Sequence, residues 1–562
     1  MELIRKAKDP SFWRTVRESE DYAPLRQLVE DKWENEYKDY VITPLKYSEF
    51  KLFFTTGDRA IYQKPYFQRR HAIAFATIYH LIHPEDDTII EKLMDWIYTI
   101  LDEYTWCLPA HQGKLEPNNP SRIDLFASET GFILSEIDYL LGDELEPLIR
   151  NRIKGECKRR IIDPFFGVEN YGWWENGHMN WTSVCMCSVA ATAMHLFPEI
   201  MTEENIERCN RAMEGFLQGF GDDGFCLEGV GYWGYGFGFF VMYADMIRDF
   251  TEGRVNFFNR EKVKTIATFP QKMFISGNCS VSFADGPRSL KYQTGTLHYL
   301  KKEFPEDVLV YSPKYAAYGE GKFTTLLRAF LWYEPEYAKN YADETTELEC
   351  YGQDACWYVR RTAAYGFAAK AGNNNEFHNH NDVGSFIFAV DGHQTLMDVG
   401  AGKYTRQYFA RDTRYDIIEC SSLGHSVPVI GEKGQLFGAE YCAKDVSCKD
   451  GVFTMDIAGA YGIEELRSLK RTFVLHDDFV TLTDTYDYIG SEELTERFVS
   501  LDPFVITEEG SFSVSGAVVT FDPSLAELVS YVRENDFGRR IYTVDLALKP
   551  GVRSITVEIR HE

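Results

Sequence analysis

The sequence is short of positive charge, with 59 Lys and Arg residues against 86 Asp and Glu and a formal net charge of −27. A chain this acidic is not suited to broad electrostatic capture of nucleic acid or of an anionic membrane surface. The charge balance still allows an anionic substrate, provided that the binding cleft is locally basic. We therefore expect neither a nucleic-acid partner nor a membrane partner.

Long hydrophobic runs and targeting signals are also lacking. No apolar stretch approaches the roughly 20 residues that cross a bilayer, and residues 1–10 lack the apolar core of a secretory signal. The 12 Cys are scattered, and Cys185 and Cys187 are too close together for the usual zinc-finger spacing, which favours buried, reduced thiols. These absences predict a cytoplasmic protein, or a secreted or periplasmic one if a signal has been removed.

Several common enzyme fingerprints are missing. The sequence contains no Gly-x-Ser-x-Gly elbow and no dinucleotide-binding fingerprint, and no Gly-Lys-Ser/Thr follows its glycine-rich segment at 224–236. The chain therefore gives no support to an α/β-hydrolase, a Rossmann or a P-loop assignment.

The pattern of apolar residues changes near residue 350. Apolar residues recur at helical spacing at 72–82, 88–104, 123–141, 183–197 and 204–220. Strand-like runs separated by turns follow at 356–361, 366–370, 385–390, 471–475, 479–484 and 554–559. We predict helical hairpins over residues 1–340, in a superhelix or a closed ring, and a β-sandwich over 350–562, with Asn340 to Glu349 as a polar linker.

The segment from Phe377 to Phe386 has the highest density of chemically active side chains. His378 and His380 stand at i and i+2, so in an extended chain both imidazoles would project into one site. Asp398 and His425 follow, and two histidines with one carboxylate can bind zinc or a related divalent ion. The alternative is a set of hydrogen-bonded histidines without a metal.

A second group of candidates precedes the apolar helix predicted at 183–197. It comprises Trp174, Asn176, His178 and Asn180, in a segment rich in Gly, Asn and Trp. The aromatic content of the chain is high, at 15%, and exposed rings suit the C–H faces of sugars. The segment could floor a sugar subsite, or it could be a capped helix start with buried tryptophans.

A third group lies at 222–236, where a glycine-rich turn presents Glu228, Tyr232, Trp233 and Tyr235. A phenol titrates near about 10 and acts as a base only where positive charge lowers that pKa. The alternative is aromatic packing at a helix start. Weaker candidates for a binding cleft, which could equally be loop packing, are Trp106, His111 and Arg122.

Taken together, these motifs resemble the heparinase II/III-like polysaccharide lyases. The resemblance rests on the order of Asn-Gly-His-x-Asn-Trp at 176–181, Asp-Gly-x-x-x-Glu-Gly-x-x-Tyr at 223–232 and His-x-His-Asn-Asp-x-Gly-Ser-Phe at 378–386, then Asp398 and the loop of His425. It implies an α+β multidomain chain, with an N-terminal (α/α) toroid of helical hairpins and a C-terminal antiparallel β-sandwich.

The resemblance also implies an activity, that of a carbon–oxygen lyase acting on polysaccharides. Such an enzyme cleaves uronic-acid glycans by β-elimination, giving 4,5-unsaturated products from glycosaminoglycans such as chondroitin sulfate, hyaluronan or heparan sulfate, or from alginate. Neutralising the uronate carboxylate lets negative charge move onto it, a base removes the C5 proton, and an acid protonates O4. The implied partner is an anionic uronic-acid oligosaccharide or polysaccharide.

Residue roles follow from the same resemblance. Tyr232 matches the tyrosine that donates to O4, and Tyr235 competes with it because the two lie three positions apart, so one helical face could carry both. His178 matches a histidine that acts as base or contacts the carboxylate, Asn180 matches a carboxylate neutraliser, and His378 would complete that cluster. The substrate-binding candidates are Trp106, His111, Arg122, Trp174, Asn176 and Trp233.

The resemblance assigns His380, Asp398 and His425 to a structural divalent metal, zinc before manganese or another ion. This divides the histidine pair, with His378 given to the substrate and His380 to the metal. Two other functions stay open at this stage. One is a glycoside hydrolase on a helical toroid, with Glu175 and Glu228 as its two carboxylates, and the other is a non-catalytic glycan-binding protein.

Overall fold

A computed structural model describes residues 3–115, 119–319, 321–343, 346–535 and 537–562. The described chain forms two compact units. The helical unit comprises the described residues up to Gly219, Gly234–Lys264 and Tyr292–Tyr341. The sheet unit comprises Phe220–Trp233, Thr265–Lys291 and the described residues from Ala342 to Glu562. Part of the predicted linker, residues 344 and 345, lies outside the described residues, as do residues 1 and 2.

Long helices account for most of the helical unit. Those of eight or more residues are Pro10–Glu18 (α1), Ala23–Lys32 (α2), Ala60–Ile82 (α3), Thr88–Leu101 (α4), Leu125–Leu141 (α5), Pro147–Cys157 (α6), Asn180–Leu196 (α7), Glu203–Gln218 (α8), Gly238–Phe250 (α9), Thr294–Glu303 (α10) and Phe323–Leu331 (α11). The five helices predicted from apolar spacing all form. Helices α5 and α7 are buried on nearly every face, and their buried residues include polar side chains as well as apolar ones.

Shorter helices connect these elements and contribute to both units. They span Tyr47–Phe50, Leu52–Thr56, Pro109–Gln112, Asp163–Phe166, Val230–Tyr232, Glu261–Ala267, Phe269–Met273 and Pro335–Lys339. Among the described helices, none has both the length and the apolar composition that crossing a bilayer requires.

Antiparallel strands form the sheet unit. They are Leu348–Gly352 (β1), Trp357–Arg361 (β2), Gly366–Lys370 (β3), Phe386–Val390 (β4), His393–Leu396 (β5), Val429–Ile430 (β6), Lys444–Lys449 (β7), Val452–Asp456 (β8), Leu466–Leu475 (β9), Phe479–Tyr488 (β10), Leu494–Ser500 (β11), Val505–Glu508 (β12), Ser511–Val514 (β13), Ala517–Phe521 (β14), Ala526–Glu534 (β15), Arg540–Leu548 (β16) and Ser554–His561 (β17). Short two-stranded pairs join Phe274–Ser276 to Cys279–Ser280, Asn373–Asn374 to Gly438–Cys442, and, in the helical unit, Tyr292–Gln293 to Ala316–Ala317.

Three sheets share one hydrophobic core. Their strand orders are β5-β4-β3-β2-β1, β6-β11-β16-β15 and β7-β8-β9-β10-β17-β14-β13-β12. Along β10 alternate residues are buried, as expected for strands with one face on a core. The core joins Phe386 of the first sheet, Phe498 of the second and Phe473 of the third. The strands predicted from the sequence all form.

One close backbone approach places the glycine-rich turn of the sheet unit. Gly229 adopts a φ of 93°, and a Cβ added there would lie 3.0 Å from the Cα of Gly286. Only glycine combines this conformation with this contact at no steric cost. The approach brings the short helix Val230–Tyr232 next to Asp285, which precedes Gly286 in the chain.

Candidate active site

A single buried carboxylate, that of Asp285, organises the reactive side chains of the sheet unit. Its Oδ2 atom accepts hydrogen bonds from His378 Nδ1 at 2.5 Å and from the Tyr404 hydroxyl at 2.8 Å. Its Oδ1 atom accepts from His380 Nε2 at 3.1 Å and from the Tyr408 hydroxyl. Two imidazoles and two phenols therefore converge on a side chain that is fully excluded from solvent.

This arrangement fixes where the imidazole protons lie. An ionised carboxylate only accepts and has about four lone-pair positions, so each histidine must present an N–H to Asp285. Burial alone would raise the pKa of Asp285, but the hydrogen bonds and charge of His378 and His380 hold that pKa well below its ordinary value. In the neutral form His378 then keeps its lone pair on Nε2, whereas His380 keeps its lone pair on Nδ1.

Tyr232 adjoins this cluster through its ring and its hydroxyl. Its ring stacks on the imidazole of His378, with centroids 4.2 Å apart and planes inclined by 28°. Its hydroxyl lies 2.8 Å from the hydroxyl of Tyr404, and because Tyr404 donates to Asp285, Tyr232 is the donor in this bond. Burial raises the pKa of Tyr232 above its ordinary value, and the charges of Asp285 and Glu228 reinforce the rise. Tyr232 is thus a protonated phenol near neutral pH.

The histidine segment is not extended, unlike the expectation from its i, i+2 spacing. His378 lies in a turn with a φ of 55°, in the left-handed region that side chains other than glycine seldom adopt. The two imidazoles reach one site because both bind Asp285, and not because a strand alternates them. Strained conformations of this kind concentrate at functional sites. The Nε2 atom of His378 lies 3.6 Å from a carboxylate oxygen of Glu228.

The predicted metal ligands do converge. One ligand atom from each of His380, Asp398 and His425 lies within 4.8 Å of the others, and all three side chains are buried. His380 Nδ1, Asp398 Oδ2 and His425 Nδ1 make no hydrogen bond within the described residues. The opposite nitrogens of the two rings are engaged: His425 Nε2 donates to the Glu419 carbonyl at 3.0 Å, and His380 Nε2 donates to Asp285. Two imidazole nitrogens on oriented rings and one carboxylate oxygen, none of them hydrogen-bonded within the described residues, fit a divalent metal, so this group could hold an ion.

Sequence reasoning missed Asp285, Tyr404, Tyr408 and Arg414. Arg414 supports the cluster, because its guanidinium donates to the carbonyls of Asn379 and Tyr408 and lies 3.6 Å from Asp285. Asp285 belongs to no motif in the sequence, and only the fold brings it to the histidines. The one available signal was the concentration of Tyr and Arg between residues 404 and 415.

The helical unit holds a second set of predicted residues around a cavity of about 590 Å³. His111 and Arg122 line it, as do Trp173, Trp174 and Trp181. His111 Nδ1 lies 2.6 Å from Asp124, and its Nε2 lies 3.4 Å from an Arg59 nitrogen. Trp173, which sequence reasoning did not select, is 54% exposed and offers an open ring face.

His178 and Asn180 stand at the start of α7 in the same unit. His178 is exposed, and its Nδ1 atom donates to the Gly215 carbonyl at 2.7 Å, which leaves Nε2 as the acceptor of the neutral ring. Asn180 is buried, and its side-chain oxygen makes no hydrogen bond among the described residues. Asn176, which is exposed, donates to Asn170 and to the Gly172 carbonyl.

Three aromatic candidates are placed differently from the expectation of substrate contact. Trp106 and Trp233 are 1% and 3% exposed and donate their indole N–H groups to the carbonyls of Ile100 and Ile266, so each serves as core packing. Trp174 lines the cavity but is only 2% exposed. Core packing had been the competing interpretation, and apolar sequence alone does not distinguish the two.

Tyr235 belongs to the helical unit, whereas Tyr232 belongs to the sheet unit. The Tyr235 hydroxyl donates to the carboxylate of Glu129, and Lys322 lies 3.9 Å from the centre of its ring. Lys322 also binds Glu129, at 3.0 Å. The structure therefore places the two competing tyrosines in different surroundings, with Tyr232 alone stacked on His378.

Of the two carboxylates considered for a hydrolase, Glu175 is engaged in a buried ion pair. Arg208 binds both of its oxygens, at 2.6 and 2.9 Å, and the backbone N–H of Tyr171 donates to one of them. A carboxylate held in this way is not poised to give or take a proton. The geometry removes the support for the hydrolase pair.

No protein-family model and no curated protein matches the sequence. Solved structures match its fold over nearly the whole chain. Heparinase III matches with a TM-score of 0.61 and 13% identity, covering 100% of this chain and 92% of that one. Chondroitin AC lyase of Streptomyces coelicolor A3, in complex with chondroitin sulphate, gives 0.61 and 11%, covering 98% and 82%. A mutant heparan sulfate lyase of Pedobacter heparinus gives 0.59 and 13%, covering 99% and 86%.

These likenesses establish the fold class. The chain has the fold of heparinase- and chondroitinase-type lyases, with an (α/α) toroid followed by an antiparallel β-sandwich. The fold predicted from the sequence is confirmed.

Proposed function

We propose that this protein is a polysaccharide lyase that cleaves uronic-acid-containing glycans by β-elimination. The observation that carries the proposal is the stacking of the protonated Tyr232 phenol on His378, an imidazole that Asp285 orients. An acid and a base held side by side are what the elimination needs.

Tyr232 is proposed as the acid that protonates the departing O4 oxygen. The direction of its raised pKa keeps the proton on the phenol near neutral pH. The Tyr404 hydroxyl lies against the Tyr232 hydroxyl and is itself committed to Asp285. Tyr404 therefore positions the Tyr232 oxygen, and because its own proton is donated to Asp285 it does not serve as the acid.

His378 is proposed as the base that takes the C5 proton. Asp285 holds its Nδ1–H, so the lone pair of the neutral ring lies on Nε2, and the carboxylate would stabilise the imidazolium that forms. His178, which also presents Nε2, and Asn180 are proposed to contact the uronate carboxylate. Neutralising that carboxylate makes the C5 proton removable, because negative charge can then spread onto it.

The cavity of the helical unit is proposed to bind the sugar chain. Trp173 offers an exposed ring for sugar C–H contacts, and Arg122 and His111 line the same cavity, so that Arg122 supplies positive charge there. Because the chain has a net charge of −27, binding of an anionic glycan requires positive charge in the cleft, and Arg122 provides it. Asn176 remains proposed as a hydrogen-bonding contact at the edge of this segment.

The metal at His380, Asp398 and His425 is proposed to be zinc in a structural role. Two imidazoles and a carboxylate suit zinc, with manganese as the alternative. When bound, the ion would cross-link three chain segments of the sheet unit, and no step of the elimination uses it.

Glycosaminoglycans are the proposed substrate class. Structural neighbours over most of the chain are named for heparan sulfate and chondroitin, and one of them was determined with chondroitin sulphate. Alginate, a uronate polymer without amino sugars, is the second candidate, because the proposed chemistry requires only the uronate.

The test is incubation of the purified protein with chondroitin sulfate, hyaluronan, heparan sulfate and alginate, each as polymer and as short oligosaccharide. We expect ultraviolet absorbance from a 4,5-unsaturated uronate to rise with at least one of them. New reducing ends without that absorbance would indicate a hydrolase, and binding without either signal would indicate a glycan-binding protein. Both results would contradict the proposal.

A further inference from the structure

A buried ammonium group lies under the segment that carries both histidines. Lys370, at the end of β3, is 1% exposed, and its Nζ atom lies 2.8 Å from Asp382 and 3.5 Å from Glu376. The side chains of these two carboxylates are 0% and 5% exposed. None of the three side chains takes part in the proposed elimination.

The two carboxylates are placed symmetrically about the histidines. Glu376 stands two residues before His378, and Asp382 stands two residues after His380. One cation thus binds both ends of the segment from 376 to 382.

Backbone hydrogen bonds attach the same segment to β3. The Gly384 N–H donates to the Lys370 carbonyl at 2.9 Å, and the Lys370 N–H donates to the Ser385 carbonyl at 3.1 Å. The chain that follows Asp382 is therefore paired in register with the end of β3. These backbone bonds fix the residues just after the segment, whereas the ammonium group binds the carboxylates at its two ends.

The charge balance of this buried group depends on Lys370. One ammonium group faces two carboxylates, and removing it would leave both buried carboxylates without an ion pair among the described residues. Burial and the nearby charge of Asp382 already raise the pKa of Glu376, although Lys370 opposes that rise. The left-handed backbone of His378, which lies between the two anchors, needs such over-determination by its surroundings to persist.

We propose that Lys370, with Glu376 and Asp382, is a positioning clamp that sets the orientation of His378 toward substrate and of His380 toward the metal. The inference for His378 rests on the proposed lyase function, whereas the inference for His380 does not. Supporting groups of this kind act through the residues that they orient, and their loss typically lowers metal affinity about 10- to 100-fold.

The test uses a variant that removes the clamp without creating buried charge. The triple variant Lys370→Met/Glu376→Gln/Asp382→Asn replaces three charged groups by neutral ones of similar size, so it leaves no uncompensated buried charge at this site. We expect a cooperative thermal transition, zinc affinity reduced by about 10-fold or more, and kcat reduced by about 10-fold or more with KM within about twofold. Lys370→Arg, which keeps the cation, should recover part of both losses relative to Lys370→Met.

A matched control removes a buried ion pair elsewhere. Arg328 and Glu136, whose side chains lie 2.6 Å apart in the helical unit, are equally buried, and within the described parts of the chain neither forms a hydrogen bond or ion pair with a proposed catalytic residue. The double variant Arg328→Met/Glu136→Gln should leave zinc affinity and kcat unchanged.

The outcomes separate the two proposals. A triple variant with wild-type zinc affinity would overturn the clamp, as would one whose losses the control reproduces. If the wild-type protein gives no unsaturated product from any uronate glycan, the proposed function fails, and the zinc titration of the same variants still decides the clamp.

Discussion

Two buried aspartates in this protein each bind Nδ1 of a histidine, and their surroundings differ. Asp285 lies 2.5 Å from His378 in the sheet unit, and Asp124 lies 2.6 Å from His111 in the helical unit. In both pairs the imidazole Nδ1–H donates to the carboxylate, and in the helical unit an Arg59 nitrogen lies 3.4 Å from His111 Nε2. By the local His–Asp geometry alone the two pairs are alike.

The remaining partners of each carboxylate distinguish them. The carboxylate of Asp124 also accepts from the backbone N–H groups of Ala127 and Leu108. The first bond caps α5, and the second fixes the preceding loop. Asp285 accepts instead from the side chains of His380, Tyr404 and Tyr408. A carboxylate bound to backbone amides stabilises the local chain conformation. A carboxylate bound to imidazoles and phenols determines on which atoms of those side chains the protons lie. The His–Asp pair by itself therefore does not identify a catalytic centre.

The largest expected effect comes from Tyr232, which only the Asp285 region contains. Tyr232→Phe removes the proposed acid and keeps the stacked ring, so kcat should fall by about 10²- to 10⁴-fold with the thermal midpoint retained. Steady-state rates of unsaturated-product formation measure this. Tyr235→Phe is the matched control, since its hydroxyl binds Glu129, and it should change kcat far less. Equal losses in the two variants would contradict the assignment.

A smaller effect is expected from the phenols around Asp285. Tyr404 contacts both Tyr232 and Asp285, whereas the Tyr408 hydroxyl binds only Asp285 of that pair. Tyr404→Phe should lower kcat by about 10-fold, because it removes a hydrogen bond to a reacting group. Tyr408→Phe should lower it less, and the reverse order would show that Tyr404 does not position Tyr232.

The pH dependence offers another contrast, because only the Asp285 region includes a proposed catalytic phenol. The folded pKa of Tyr232 is raised, so its protonated form persists beyond the ordinary phenol pKa of about 10. The stability and the acid function that it supplies are fully present below about 10 and are lost only as pH rises through the higher folded pKa. A profile of kcat against pH should show no alkaline loss from this group below about 10. A loss well below that value, absent in Tyr232→Phe, would contradict a protonated Tyr232.

The smallest expected effect on turnover comes from Asp124. In Asp124→Asn the side-chain oxygen still caps α5, but the amide nitrogen that replaces Oδ2 cannot accept from the Leu108 N–H or from the His111 Nδ1–H. We expect unfolding free energy to fall by about 1–2 kcal/mol, KM to rise severalfold and kcat to stay unchanged. Chemical denaturation and steady-state kinetics measure these quantities. A loss of kcat comparable to that of Tyr232→Phe would make Asp124 part of the chemistry.

Local pattern was enough to predict the helices and strands. Apolar residues at helical spacing predicted α5 and α7, and a strand-like run bounded by turn signals predicted the first part of β10. His380, Asp398 and His425 were predicted from a family motif, and their convergence agrees with it.

Long-range placement could not be predicted in this way. Asp285 is 93 residues from His378, and it joins the histidines through the fold, including the approach of Gly229 to Gly286. Burial of Trp106 and Trp233 depends equally on packing, because an indole suits a core and a sugar platform alike. The turn at His378 escaped prediction because its left-handed backbone depends on its surroundings, including the proposed Lys370 clamp, and not on local propensity.

The central claim is that Asp285 divides the two histidines, directing His378 to substrate and His380 to the metal. The most direct test measures zinc content and kcat on the same preparation of Asp285→Asn, with Asp124→Asn prepared in parallel. An asparagine cannot accept from both imidazoles and both phenols, since its amide nitrogen only donates. We predict that Asp285→Asn loses both zinc and turnover, while Asp124→Asn keeps both. Retention of wild-type zinc content or wild-type kcat by Asp285→Asn would contradict the claim.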